Sequence, residues 1–190
     1  MGHADPMRMY LFAFLCLATP AWSDACHDLW FTRNLVIDRA GYCFGSALGQ
    51  AVFDNSDCVG TSVKLAPETS KFVATLQRLE KNYECRVNTK QTELLLDDAW
   101  VRLQLDHLPI ADEFESACIG YRGAPRSVRS GHAEGYPVIG SINAGDTISF
   151  GHLPQSGWAY VTYSGPDWSV KGGGWINSNV TLAECNQWAG

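Results

Sequence analysis

The sequence predicts an α+β fold, with a disulfide-linked helical segment followed by a small β-barrel. Three observations point there. From Cys118 to Cys185 the apolar runs are short, nearly alternating, and bounded by Gly, Pro, Asn or Asp, which is the pattern of strands and tight turns. Before that stretch, apolar residues recur at three- and four-residue steps, which is the pattern of amphipathic helices. Cysteines run through both parts, and six of the seven lie beyond residue 23.

Residues 1–23 are expected to be a secretory signal peptide. Met7-Arg8 gives a short positive region, Met9 to Ala18 an apolar segment, and Ala21 and Ser23 the small residues of a cleavage site. The apolar run is too short to span a bilayer, so no membrane span is expected in the mature chain. Cys16 falls inside this leader, and Phe14-Leu15 before it lacks the small residues of a lipid-attachment site. The chain carries a net charge of −6 with its few bases scattered, which argues against nucleic acid and anionic membrane surfaces as partners. Cys26, Cys43, Cys58, Cys85, Cys118 and Cys185 then form an even set in an exported chain, the mark of a disulfide framework. No Cys or His pair has zinc-ligand spacing, and neither metal nor cofactor is expected.

Residues 24–109 form the helical segment. A first helix follows Asp28, a candidate N-cap, with Leu29, Arg33, Val36, Ile37 and Ala40 on helical spacing and Gly41 as the stop. A short helix is expected over Ala47 to Phe53, followed by the turn-rich Asp54 to Cys58. Pro67 opens a strongly periodic helix in which Phe72, Leu76 and Leu79 form a stripe flanked by Val73 and Tyr83. Another helix is expected from Asp97-Asp98 to Leu105, ended before Pro109. Residues 110–117 read as an acidic connector, and 118–190 as the barrel.

Within the barrel come Val128-Arg129-Ser130-Gly131, then Tyr136-Pro137-Val138-Ile139-Gly140 leading to Gly145-Asp146, then Gly157-Trp158-Ala159-Tyr160-Val161, and finally Gly174-Trp175-Ile176. In order and spacing these resemble the bacterial SH3-like (SH3b) domain family, in which the second segment is a hairpin. The departure is a longer turn between Tyr163 and Trp175, where Gly172-Gly173-Gly174 reads as a flexible turn. The resemblance implies an SH3-like β-barrel that binds peptide or cell-wall polymer. Farther upstream, Arg33-Asn34, Gly41-Tyr42-Cys43-Phe44 and Phe53 resemble the YARHG family of extracytoplasmic helical domains, although Asp38-Arg39-Ala40-Gly41 stands where its name-giving motif would be. Taken together, the mature chain is similar to an exported bacterial family of unknown function that joins such a helical segment to an SH3-like barrel.

Helix geometry narrows the disulfides. Cys26 and Cys43 flank a helix roughly 20 Å long, while a bridge allows only about 4.4–6.8 Å between Cα atoms, so those two cannot pair. If the short helix folds back, Cys58 returns beside Cys26, and the Pro67 helix then carries Cys85 to Cys43. The first and last strands of an SH3-like fold are neighbours. The expected bridges are therefore Cys26–Cys58, Cys43–Cys85 and Cys118–Cys185.

No catalytic constellation stands out. Cys43, His27, His107, His132 and His152 could supply a nucleophile and base, but the cysteine reads as half a bridge and the histidines as surface or loop residues. Asp97-Asp98 and Glu113/Glu115 could supply paired carboxylates, yet capping and a solvated acidic face account for them. The aromatic residues Tyr136, Trp158, Tyr160 and Trp168 are the candidate binding residues. Strand alternation puts Ala159 and Val161 on one face, with Trp158 and Tyr160 on the other. That second face is either an open ligand groove or a surface covered by the helical half. Trp175 reads as core in both cases. The expectation is a non-enzymatic periplasmic or secreted binding module whose partner is an envelope protein, a peptide or peptidoglycan. The alternative is a small envelope hydrolase, or an accessory factor or inhibitor of one.

Overall fold

A computed structural model describes residues 22–190. The expected signal peptide and Cys16 lie outside the described residues, apart from the last two leader positions, where the first helix begins.

That helix, α1 (Trp22–Asp38), is the axis of the helical layer. Leu29, Trp30, Phe31, Leu35 and Val36 are all buried, and so are Asp28, Thr32 and Asn34. A helix buried around so much of its circumference must be enclosed by other elements rather than lie along a surface. Asp28 is therefore mid-helix rather than an N-cap. Gly41 ends the turn after α1 at φ +85°, a conformation that suits a residue without Cβ, as expected.

Ser46 caps α2 (Ala47–Val52) through its hydroxyl, which accepts the Gly49 amide at 3.1 Å. Helix α3 (Pro67–Asn82) starts at Pro67 as the sequence predicts. It runs antiparallel to α1. Its C-terminal end is bridged to the start of α1 through Cys85–Cys26, and the Arg33 Nε meets both Glu80 carboxylate oxygens at 3.0 and 2.9 Å. The expected helix over 97–105 contracts to a single turn, α4 (Ala99–Arg102), because the chain then tightens into three-residue turns, the Gln104 amide donating to the Val101 carbonyl at 2.9 Å and the Leu105 amide to the Arg102 carbonyl at 3.2 Å.

Two of the expected disulfides are corrected. Cys26 is bonded to Cys85 and Cys43 to Cys58, with Cα separations of 5.3 and 5.0 Å. The expected Cys26–Cys58 and Cys43–Cys85 pairs required α2 to fold back along α1. Instead the chain after Gly41 pairs with its own return segment. The Val59 amide donates to the Gly41 carbonyl at 2.7 Å and the Cys43 amide to the Gly60 carbonyl at 2.8 Å, setting Cys43 beside Cys58. Cys118 and Cys185 are bonded on adjacent first and last strands.

Seven strands follow: β1 (Ala111–Tyr121), β2 (Arg126–Arg129), β3 (Val138–Ile142), β4 (Thr147–His152), β5 (Trp158–Ser164), β6 (Val170–Asn177) and β7 (Cys185–Ala189). They form one antiparallel sheet in the order β3-β2-β6-β5-β4-β1-β7. β3 and β7 are its edges and do not pair, so the sheet is open and the expected closed barrel is not seen. It is nonetheless curled, since residues of all seven strands meet in one apolar cluster that includes Cys118, Val128, Ile142, Ile148, Val161, Ile176 and Cys185. Residues 110–117, expected as a connector, belong mostly to β1. The segment from Tyr136 to Asp146 is not a hairpin: β3 pairs back with β2, while β4 lies between β1 and β5.

The triple glycine is a correction too. Gly172, Gly173 and Gly174 are strand residues of β6, not a flexible turn. A Cβ on Gly172 would sit 2.5 Å from the Tyr163 Oη, and one on Gly174 would sit 2.6 Å from the Arg129 carbonyl oxygen at a φ of +144°. Two tyrosines and a neighbouring strand occupy the space that side chains would need.

Alternation along β5 works as predicted. Ala159, Val161 and Tyr163 enter the sheet's own cluster, while Tyr160, with Trp175 of β6, enters a second core formed with Trp30, Phe31, Leu35, Phe44, Phe53 and Leu105. The helical layer covers that face. Of the two outcomes left open for Trp158 and Tyr160, the structure has the covered one.

Candidate functional site

The four candidate aromatics are not brought together. Tyr160 is fully buried, its hydroxyl donating to the Asp98 Oδ2 at 2.7 Å. Trp158, partly buried, begins β5, whereas Trp168 lies at the other end of the β5–β6 hairpin, 63% exposed and with φ +64°. Tyr136 sits in the loop between β2 and β3, its hydroxyl 3.0 Å from the His107 Nε2.

A roomier recess than any beside these aromatics lies at the seam between the two layers. Its volume is about 550 Å³, within the usual range for small-molecule sites. The end of α1, the start of α3 with the segment leading into it, the loop after α4, the β2–β3 loop and the β4–β5 loop all reach it. Val36, Leu65, Phe72 and Leu108 give it an apolar floor, and Arg39, Lys64, Asp106, His107, His132 and Gln155 supply polar groups.

Several of these polar groups are held by neighbours. One Arg39 Nη2 donates to the carbonyls of Arg102, Leu103 and Leu105, at 3.4, 3.3 and 2.9 Å, and so satisfies the end of α4. The Ser130 hydroxyl donates to the Asp106 Oδ2 at 2.5 Å. His107 and His132 stack with ring centroids 3.9 Å apart, and the His132 edge meets Trp175. Because the His107 Nδ1 accepts the His132 amide at 3.3 Å, its proton sits on Nε2 and is donated to the Tyr136 hydroxyl. Burial and the neighbouring His132 push the His107 pKa down against the pull of Asp106, in keeping with a neutral ring. The Trp175 Nε1 donates to the His107 carbonyl at 2.7 Å, so the sheet core positions the same loop.

A second polar centre is built deeper in the seam. Arg102 is 1% exposed and grips Asp28 with two bonds, of 2.6 and 2.5 Å, and Asp98 with two through Nε, of 3.1 and 3.0 Å. Thr32 accepts a further bond at 3.1 Å, and the His152 Nε2 lies 2.8 Å from the Asp28 Oδ2. Burial alone would raise the Asp28 pKa. The Arg102 guanidinium and His152 outweigh it and hold the carboxyl well below the usual range. Asp28, Arg102, His152, Asp98 and Glu115 also line a smaller recess of about 290 Å³.

Here too the sequence reading needs correcting. His152 is not a surface residue but joins α1 to β4 through Asp28. Asp98 does stand at the N-cap position of α4, but its carboxylate makes no capping bond and is not part of a solvated acidic pair, since Arg102 and Tyr160 hold it, while Glu113 and Glu115 are exposed. Cys43 is bridged, as read. The cleft residues have no common local pattern because they come from five separated segments. Asp106-His107 just before Pro109 was the one local signal available. No helix among the described residues is long and apolar enough to cross a membrane, and no group of three His, Cys, Asp or Glu among them could hold a metal ion.

A family profile for the YARHG domain matches residues 16–81, and one described as "Domain of unknown function (DUF4453)" matches residues 84–190. No curated protein and no solved structure matches the chain. The second profile covers more than half of the sequence, from the bridged Cys85 through the whole sheet, and the chain belongs to the DUF4453 family, with a YARHG domain preceding it.

Proposed function

We propose that this protein is an exported, non-enzymatic binding module that takes its ligand in the cleft between the helical layer and the sheet. The observation that carries this reading is the 550 Å³ recess itself, in which an apolar floor and several convergent polar side chains come from five separate segments. Its setting is the periplasm or the extracellular space, reached through the leader in residues 1–23. Three disulfides in 169 described residues, 22–190, and a YARHG domain support an oxidising compartment. A peptide, a protein partner or peptidoglycan is the ligand this setting offers. The curled sheet is taken as an opened SH3-like domain: the four segments that resemble that family fall in order on β2, on β3 and its exit, on β5 and on β6.

Binding is favoured over turnover because the candidate catalytic groups are engaged elsewhere. All six cysteines beyond the leader are bridged, both His107 ring nitrogens have partners, and the Ser130 hydroxyl serves Asp106 instead of a histidine. The hydrolase alternative rests on the Asp28–His152 contact. Arg102 occupies both oxygens of that carboxylate, and among the described residues no hydroxyl or thiol is bonded to His152.

The test is retention of envelope peptides and soluble peptidoglycan fragments by immobilised protein. Thr69→Trp, which fills the cleft mouth, is expected to abolish retention, and Trp158→Ala to leave it intact. The opposite pattern, with both variants folded by circular dichroism, would return the site to the β5 aromatics.

A further inference from the structure

Resting on the cleft as the binding site, we infer that its occupant is the end of a peptide: a free carboxylate beside an apolar side chain. Counting which polar groups at the cleft are already bonded leads to this class. Each lining acid has a partner: Glu68 pairs with Lys71 at 2.9 Å on the surface, and Asp106 accepts the Ser130 hydroxyl at 2.5 Å while its charge is set against Arg39. The uncommitted groups are mostly donors. Lys64 has no hydrogen bond or ion pair among the described residues, and Arg39 uses only its Nη2, leaving Nε and Nη1. Asp38 and Asp106 lie near enough to Arg39 to offset part of its charge, so Lys64 is the cation without compensation. A recess whose spare groups are donors and a cation is complementary to an anionic acceptor.

The apolar floor asks for a hydrocarbon group on the same ligand. Val36, Leu65, Phe72 and Leu108 supply it, in a volume that suits a residue or two rather than a long chain. Among the described residues no hydrogen bond ties the His132 ring, and the Gln155 amide has a single 3.4 Å bond, to the Leu108 carbonyl, so both add partners for a peptide group. An alkanoate would leave both of those unused, which is why a peptide end fits better than a fatty acid.

Calorimetric titration of the full mature chain decides it. The probes are N-acetyl-Leu-Phe as the free acid, the same dipeptide as its C-terminal amide, and octanoate. The acid should bind about tenfold more tightly than the amide, since one charge-assisted contact is worth about that factor. Octanoate should bind more weakly than the acid. Lys64→Gln, at an exposed and unpartnered position, should weaken the acid about fivefold and leave the amide unchanged. Equal affinities for acid and amide, a Lys64→Gln effect common to both, or tightest binding of octanoate would each overturn the inference, as would no heat with the acid. If acid and amide bind alike and Thr69→Trp removes both, the carboxylate falls and the cleft stands. If the acid binds and Thr69→Trp changes nothing, the cleft itself is wrong.

Discussion

Replacing Arg102 with Met tests how the two layers are held. The side chain is fully buried and bonds Asp28, Asp98 and Thr32, so the methionine fills its space while stranding two carboxylates. Removing one partner of a buried ion pair costs about 3–5 kcal/mol, because the remaining charge has lost its compensation without regaining water. With two carboxylates stranded, the upper end of that range is expected. That is a large share of the roughly 5–15 kcal/mol by which domains are stable. Urea unfolding followed by tryptophan fluorescence at pH 7 would measure it. Adding Asp28→Asn and Asp98→Asn should recover more than half of the loss. The pH dependence should also change sign. In the parent protein the folded Asp28 carboxyl is depressed, so its stabilisation is complete above the unfolded value near pH 4 and is lost as the pH falls further. In Arg102→Met, burial without the guanidinium raises it, and stability should climb as the pH is lowered from 7 towards 5. A loss below about 1 kcal/mol, or a triple variant no better than the single one, would refute the reasoning.

Other outcomes follow from the same structure. Non-reducing peptide mapping should recover Cys26–Cys85, Cys43–Cys58 and Cys118–Cys185, and replacing Cys43 and Cys58 by Ala should cost about 3 kcal/mol for a loop of 15 residues. Gly174→Ala should destabilise by about 2 kcal/mol in urea, since it combines a positive φ with a close backbone oxygen. Trp168→Gly should raise the melting temperature, because it relieves a left-handed residue that is mostly solvated. The lowered pKa of His107 means that its contribution is complete above about pH 6.5 and is lost as the pH falls below that, so proton NMR should show its ring titrating below His in an unfolded peptide.

The parts of the fold that depend on local pattern were legible in the sequence. Pro67 marked where α3 begins, Gly41 the turn that follows α1, and strand alternation sorted Ala159 and Val161 from Tyr160. The pairings that depend on distant parts of the chain were not. Whether Cys43 meets Cys58 or Cys85 turns on two backbone bonds, Val59 to Gly41 and Cys43 to Gly60, at residues without a distinctive local pattern. Asp28 carries the features of a helix cap, and only Arg102, 74 positions later, shows it to be an interior ion. The cleft was invisible for a similar reason: Lys64, His107 and His132 become neighbours only when the layers dock.

β5 presents one row of side chains to each of the two cores, and Cys85, near the start of the second matched segment, is chemically fastened to Cys26 in the first. The two matched regions are therefore poor candidates for shuffling between proteins. A copy of residues 84–190 cut loose would show water Tyr160 and Trp175, and carry one unmated thiol. Any lineage that kept the sheet without its helices would have had to recolour that face with polar residues, which makes the β5 and β6 alternation a historical marker of whether the partnership is old.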